Sequence, residues 1–207
     1  MEQLVRIEGI AAPMLQINID TDQIIPAKHL VRTSYRGIGE GLFSAWRLRA
    51  DGSPNPDFIL NKEPWTKSTI LLADRNFGCG SSREGAPKAL RDWGIRVVIA
   101  PSFSGIFFGN SFRNGLLPVE MPIEQVRVIA DQVEASAGQG KVIVDLAAQT
   151  VTAPKGDVFT FKSPPVLRHM LMEGLDEVEL TLKMAPEIER FRVADRGKRP
   201  WAYLGSA

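Results

Sequence analysis

One cysteine and two histidines, Cys79, His29 and His169, are all the thiol and imidazole chemistry in 207 residues. A single cysteine forms no intrachain disulfide, and these three side chains cannot complete a four-thiolate metal or cluster site. Any metal-cluster chemistry must come from a partner. Charge of one sign is also missing: 25 Lys and Arg stand against 24 Asp and Glu without a basic run, which argues against a nucleic-acid surface or a polybasic membrane anchor. No apolar stretch approaches the roughly 20 residues that span a bilayer, and Met1-Glu2-Gln3 begins no signal peptide, so a cytoplasmic chain is expected.

What remains is ordinary for one globular domain, with 44% hydrophobic and 24% charged residues. The chain is organised around residues 69–118. Thr69 to Ala73 reads as a buried strand that breaks at Asn76, Gly78 and Gly80 into the loop GCGSSREG. Glycines there admit positive φ and close approach, while Ser81, Ser82 and Arg83 add two hydroxyls and a guanidinium beside loop amides, which makes an anion cradle of Gly78, Cys79 and Gly80. A helix of roughly ten residues and a second buried strand, Val97 to Ala100, complete a strand, loop, helix, strand unit.

Ser81-Ser82-Arg83-Glu84 fits a capping box, which would spend the Ser81 hydroxyl on the helix. Pro87 would then lie in the helix interior, so the start is placed nearer Arg83 or Glu84 and Ser81 stays available at the positive helix end. Neither nucleotide motif is complete. Arg83 replaces the third glycine of a dinucleotide fingerprint, and Ala86-Pro87 occupy the Lys and Ser or Thr positions of a phosphate loop. Cys79 reads as a small residue in a tight turn in preference to a nucleophile.

The N-terminal segment begins as an alternating strand and then gives Asn18, Asp20, Thr21 and Asp22, a cluster that turns the chain. The functional reading has Asp20, Thr21 and Asp22 hold a loop, from Ala27 to about Thr33, over the cradle. Lys28, His29 and Arg32 would face a carboxylate and Leu30 and Val31 an apolar group; a solvated basic face is the competing account. Residues 34–66 form an irregular excursion with a helical turn near 42–46. Ser102 to Arg113 is expected as a helix capped by Ser102, Leu116 to Val119 as a strand, and Ile123 to Glu134 as a helix whose Ile123, Val126, Ile129, Ala130 and Val133 stripe is core. Runs at 141–145, 150–152 and 157–161 read as an antiparallel meander. Helical stretches follow Pro165, with His169 structural or on the surface, and Pro186, the latter opening a C-terminal helix and tail over 183–207. The fold class is α/β.

The elements NIDTDQIIP, ILLADRNFGCGSSREGAPKAL, VVIAPSFSGIFFGNSFRNGLLPV and GLDEVELTL, in this order, resemble the small-subunit family of bacterial isopropylmalate dehydratases. The resemblance covers nearly the whole chain and extends more distantly to the swivelling C-terminal domain of aconitase. It implies a single swivelling β/β/α domain with a mixed sheet. It also implies a large-subunit partner carrying a 4Fe-4S cluster, and reversible dehydration of 2-isopropylmalate through isopropylmaleate in leucine synthesis. By motif matching Ser81 is the base, and Ser82 and Arg83 bind a substrate carboxylate. Leu30, Val31 and Arg32 fall in the segment that discriminates substrates. Gly85 departs from the histidine that is common in the family. The alternatives are a paralogue acting on methylmalate, dimethylmalate or homocitrate, and a non-catalytic anion-binding module.

Overall fold

The computed structural model describes residues 1–30 and 37–203. Its strands are β1 (Arg6–Gly9), β2 (Ala11–Met14), β3 (Ile70–Ala73), β4 (Val97–Ala100), β5 (Leu117–Glu120), β6 (Val142–Asp145), β7 (Thr150–Thr152) and β8 (Val158–Thr160). Its α-helices are α1 (Thr21–Ile24), α2 (Ser44–Arg47), α3 (Gly85–Trp93), α4 (Gly105–Arg113), α5 (Ile123–Ala135), α6 (Pro165–Glu173), α7 (Glu177–Lys183) and α8 (Ala185–Lys198).

Strands β2, β3, β4 and β5 form a parallel sheet in that order, and β1, β6, β7 and β8 form an antiparallel one. The expected α/β class and meander are both present, with the two kinds of pairing segregated into separate sheets. The opening strand is in fact two: β1 pairs with β6 while β2, one residue later, pairs with β3. The expected strand near Leu116 begins at Leu117.

The parallel sheet is buried on both faces, which is why its strands read as unbroken apolar runs. Ile70, Leu72, Val97, Ile99, Leu117 and Val119 face a core shared with Val126, Ile129, Ala130 and Val133 of α5 and with Val142, Val144 and Val151 of the antiparallel sheet. Ile123, the first member of the α5 stripe, packs against this core while only partly buried. Ala12, Met14, Leu71, Ala73, Val98 and Ala100 face a second core with Ala86, Ala89 and Leu90 of α3. The irregular excursion belongs to that second core, to which it contributes Ile38, Leu42, Phe43 and Leu60.

Helix α4 departs from expectation at its start. Its N-cap is Ser104, without a side-chain bond to the helix, while the Ser102 hydroxyl accepts from the Asn76 amide at 2.9 Å. The short α7 precedes the expected C-terminal helix and is opened by a capping box between Asp176 and Glu179. No residue of α7 or α8 is buried, and Val178, Leu182, Met184, Ile188, Phe191 and Val193 are exposed. His169 lies exposed on α6. Among the described residues no helix is long and apolar enough to cross a membrane.

Candidate active site

The cradle forms where β2, β3 and β4 run out together at their C-terminal ends, the edge at which open parallel sheets place ligands. After β3, Asn76 (φ 62°), Gly78 (φ 71°) and Gly80 (φ 88°) turn the chain in the left-handed region. At Gly78 a glycine is required twice over, since a Cβ there would also collide with the Phe107 ring. The base of the loop is fixed by the segment after β4: Phe77 N–H donates to the Ser102 carbonyl at 3.1 Å and Ser104 N–H to the Phe77 carbonyl at 3.0 Å. The Phe77 and Phe107 rings meet edge to face at 5.3 Å, a favourable aromatic geometry.

The other wall is the segment after β2. Asp20 caps α1 through a capping box, its Oδ1 accepting from Gln23 N–H at 2.7 Å while Gln23 Oε1 accepts from Asp20 N–H at 2.8 Å. This rigid turn is applied to the cradle by backbone and side chain together. Gly78 N–H donates to the Ile19 carbonyl at 2.7 Å and Thr21 N–H to the Cys79 carbonyl at 2.8 Å. Thr21 Oγ1 donates to the Ser81 carbonyl at 2.9 Å, and Asn76 Nδ2 to Asn18 Oδ1 at 2.9 Å. Thr21 and, through its bridge to Cys79, Asp20 therefore contact the cradle itself, while Asp22 pairs with Arg83 beside it.

Helix α3 begins at Gly85 with Glu84 as N-cap and no side-chain cap bond. Ser81 is thus not spent as a cap. Ser81 and Ser82 are exposed, and neither hydroxyl has a hydrogen-bond partner among the described residues. Arg83 is half-buried, with Nη1 2.6 Å from Asp22 Oδ1. That contact is an ion pair without an aligned hydrogen bond, because the same buried Nη1 has no hydrogen-bond partner. A partly exposed pair of this kind contributes about 1 kcal/mol or less, so its effect is to aim the guanidinium more than to hold the fold.

Cys79 lies against the Asp20 turn, partly covered. Burial, and then the Asp20 carboxylate, push its thiol above the usual range. It is protonated at neutral pH and a poor nucleophile, in keeping with a turn-filling role.

The remaining sequence-predicted residues divide. Lys28 is exposed, on the 3₁₀ turn Ala27–His29. His29 is directed toward the excursion that follows, with Nε2 3.0 Å from Ser44 Oγ of α2 and the ring packed where a Gly41 side chain would be. Leu30 packs on the second core. Val31 and Arg32 lie outside the described residues. Sequence reasoning missed Ser102, Phe103 and Phe107 as the floor of the cradle; the aromatic spacing in FSGIFF was the available signal.

The sequence profile of the aconitase C-terminal domain matches residues 1–124, and one described as LeuD_N matches 128–162. A relative from Cupriavidus necator, named 3-isopropylmalate dehydratase small subunit, is 48% identical over 99% of both chains. The chain belongs to the 3-isopropylmalate dehydratase small-subunit family. A second small subunit of that name, from Agrobacterium fabrum, is 47% identical over 98% of this chain and all of its own. The crystal structure of a 3-isopropylmalate dehydratase (leuD) from Methanocaldococcus jannaschii superposes with a TM-score of 0.64 at 25% identity, covering 90% of this chain and 99% of that one. That structure and this chain share a fold over nearly the whole of both.

Proposed function

We propose that this chain supplies the proton-transfer and carboxylate-binding face of a hydro-lyase that interconverts 2-isopropylmalate and 3-isopropylmalate through isopropylmaleate in leucine synthesis. The observation that carries this reading is the state of residues 81–83. Two exposed hydroxyls without partners among the described residues stand beside a half-buried guanidinium, on a backbone clamped from both sides. The names of its relatives, 3-isopropylmalate dehydratase small subunits, supply the substrate.

The reaction removes a proton from one carbon and a hydroxyl from its neighbour, leaving a double bond; readdition in the opposite sense moves the hydroxyl by one carbon. Ser81 Oγ takes the carbon-bound proton and returns it. A serine alkoxide is unfavourable in water, so the reaction depends on the positive end of α3, on the Arg83 cation and on exclusion of water by a partner surface. Ser82 and the Arg83 fork hold a substrate carboxylate through charge-assisted hydrogen bonds.

The chain's own residues do not fit an iron-sulfur cluster. Cys79 is the only thiol, and among the described residues no three or more His, Cys, Asp or Glu converge. A 4Fe-4S cluster on the large subunit would supply Lewis acidity toward the departing hydroxyl. The working unit is then a cytoplasmic complex with that subunit, in which the exposed cradle is covered.

The test is an anaerobic assay of the chain with its cluster-loaded large subunit, following the ultraviolet absorbance of the unsaturated intermediate. Turnover should favour isopropylmalate over methylmalate, dimethylmalate, homocitrate and citrate, and Ser81→Ala should lower kcat by about 10³-fold. Full turnover by Ser81→Ala would reduce the chain to an anion-binding module. Preference for another diacid would keep the chemistry and replace the substrate.

A further inference from the structure

Gly85, the first residue of α3, is buried and is not among the glycines with positive φ, so its backbone does not demand a glycine. Glycine is also a poor helix former. The space around it accounts for the residue: a Cβ built at Gly85 would fall inside contact distance of Leu30 Cδ2 and 3.5 Å from Ile38 Cδ1. The missing side chain is a notch, and Leu30 fills it.

Leu30 closes the 3₁₀ turn Ala27–His29, its N–H donating to the Ala27 carbonyl at 2.9 Å. That turn continues the segment that clamps the cradle. Two stretches of chain therefore run side by side, touching at Ile19 and Gly78, Thr21 and Cys79, Thr21 and Ser81, Asp22 and Arg83, and Leu30 and Gly85. The last contact anchors the start of α3. Ala86 N–H donates to the Arg83 carbonyl at 3.3 Å, so any tilt forced on the helix start passes directly to Arg83.

We propose that Gly85 is a positioning residue: by seating Leu30 it fixes the start of α3, and with it sets Arg83 against Asp22, next to Ser82, for carboxylate binding. The proposal rests on the functional reading above. A side chain at position 85 must either turn the Leu30 methyl aside or tilt the helix, and the tilt is the change that moves the guanidinium.

The experiment is a double-mutant cycle in the complex with the large subunit, on isopropylmalate. Gly85→Ala is expected to raise KM about tenfold with kcat within about threefold, a loss of binding more than of chemistry. Leu30→Ala, which empties the notch, is expected to raise KM about threefold. In the double variant the methyl group introduced at position 85 occupies the space Leu30 has left, so its KM should be no higher than that of Leu30→Ala. The double variant decides even if Gly85→Ala alone does not fold: a KM more than about threefold above that of Leu30→Ala overturns the proposal. A wild-type KM for Gly85→Ala also overturns it, as does coupling that appears in the melting temperature but not in KM, the signature of a packing role alone. An inactive wild-type complex would overturn the functional reading itself, whereas an active wild type with uncoupled variants overturns only the positioning role.

Discussion

Thr21 donates its hydroxyl to the carbonyl of Ser81 across sixty residues of sequence, at 2.9 Å. The bond ties the two clamping segments at the residue assigned to proton transfer, so its removal should affect rate as well as stability. Thr21 is buried, and Thr21→Val keeps its shape while orphaning the carbonyl. The expected cost is about 1–2 kcal/mol of stability by chemical denaturation. The accompanying fall in kcat should be at least about tenfold, because a displaced base loses most of its effect. A stability loss with unchanged kcat would show that Ser81 is held by its other neighbours.

Asp22 and Arg83 test aim against attraction. Arg83→Lys keeps the charge and loses the planar fork, so KM for the diacid should rise by about 10- to 100-fold. Asp22→Asn keeps the size and loses the ion pair; since the pair contributes little to folding, the melting temperature should barely move while KM rises. Steady-state kinetics beside a thermal melt separates the two effects.

Gly78→Ala should be among the most damaging single-methyl changes in the chain. It demands φ of 71° from alanine and drives its Cβ into the Phe107 ring. About 2–4 kcal/mol of destabilisation is expected, against about 1 kcal/mol for Gly52→Ala, where φ is also positive but nothing lies within 4 Å. Comparing the two by denaturant titration isolates the ring contact.

The Cys79 thiol should alkylate slowly at pH 7. Burial and Asp20 raise its pKa, so the thiolate fraction is below that of an ordinary cysteine near 8.5 and grows as pH rises past that value. Mass spectrometry after iodoacetamide treatment between pH 7 and 10 reads this directly. Asp20→Asn should shift the reactivity profile to lower pH, because it removes a repelling charge.

The strand, loop and helix around the cradle were legible because each carries its own local signal. Buried parallel strands are continuous apolar runs, glycines mark left-handed turns, and Pro87 excludes an earlier helix start. The α5 stripe was legible for the same reason. The division of Arg6 to Met14 between two sheets was not, since only Ile10 separates the strands and their partners lie far along the chain, at Val142–Asp145 and Ile70–Ala73. Ser102 was misread because a serine shortly before an apolar run looks like a cap, whereas here the Asn76 amide claims it. At Gly85 the sequence shows a glycine, but only the fold shows the leucine that occupies its empty side.

Because the central sheet is enclosed on both faces, its strands leave no room for a change of length. In β3, Ile70 and Leu72 belong to one core and Leu71 and Ala73 to the other, so one extra residue would exchange the contents of both at once. The cradle is equally intolerant, being matched contact by contact to the 19–30 segment. Insertions can accumulate at the exposed tip around Asp51 and Gly52, beyond the bridge between Leu48 and Pro54. An insertion there would lie away from the chemistry.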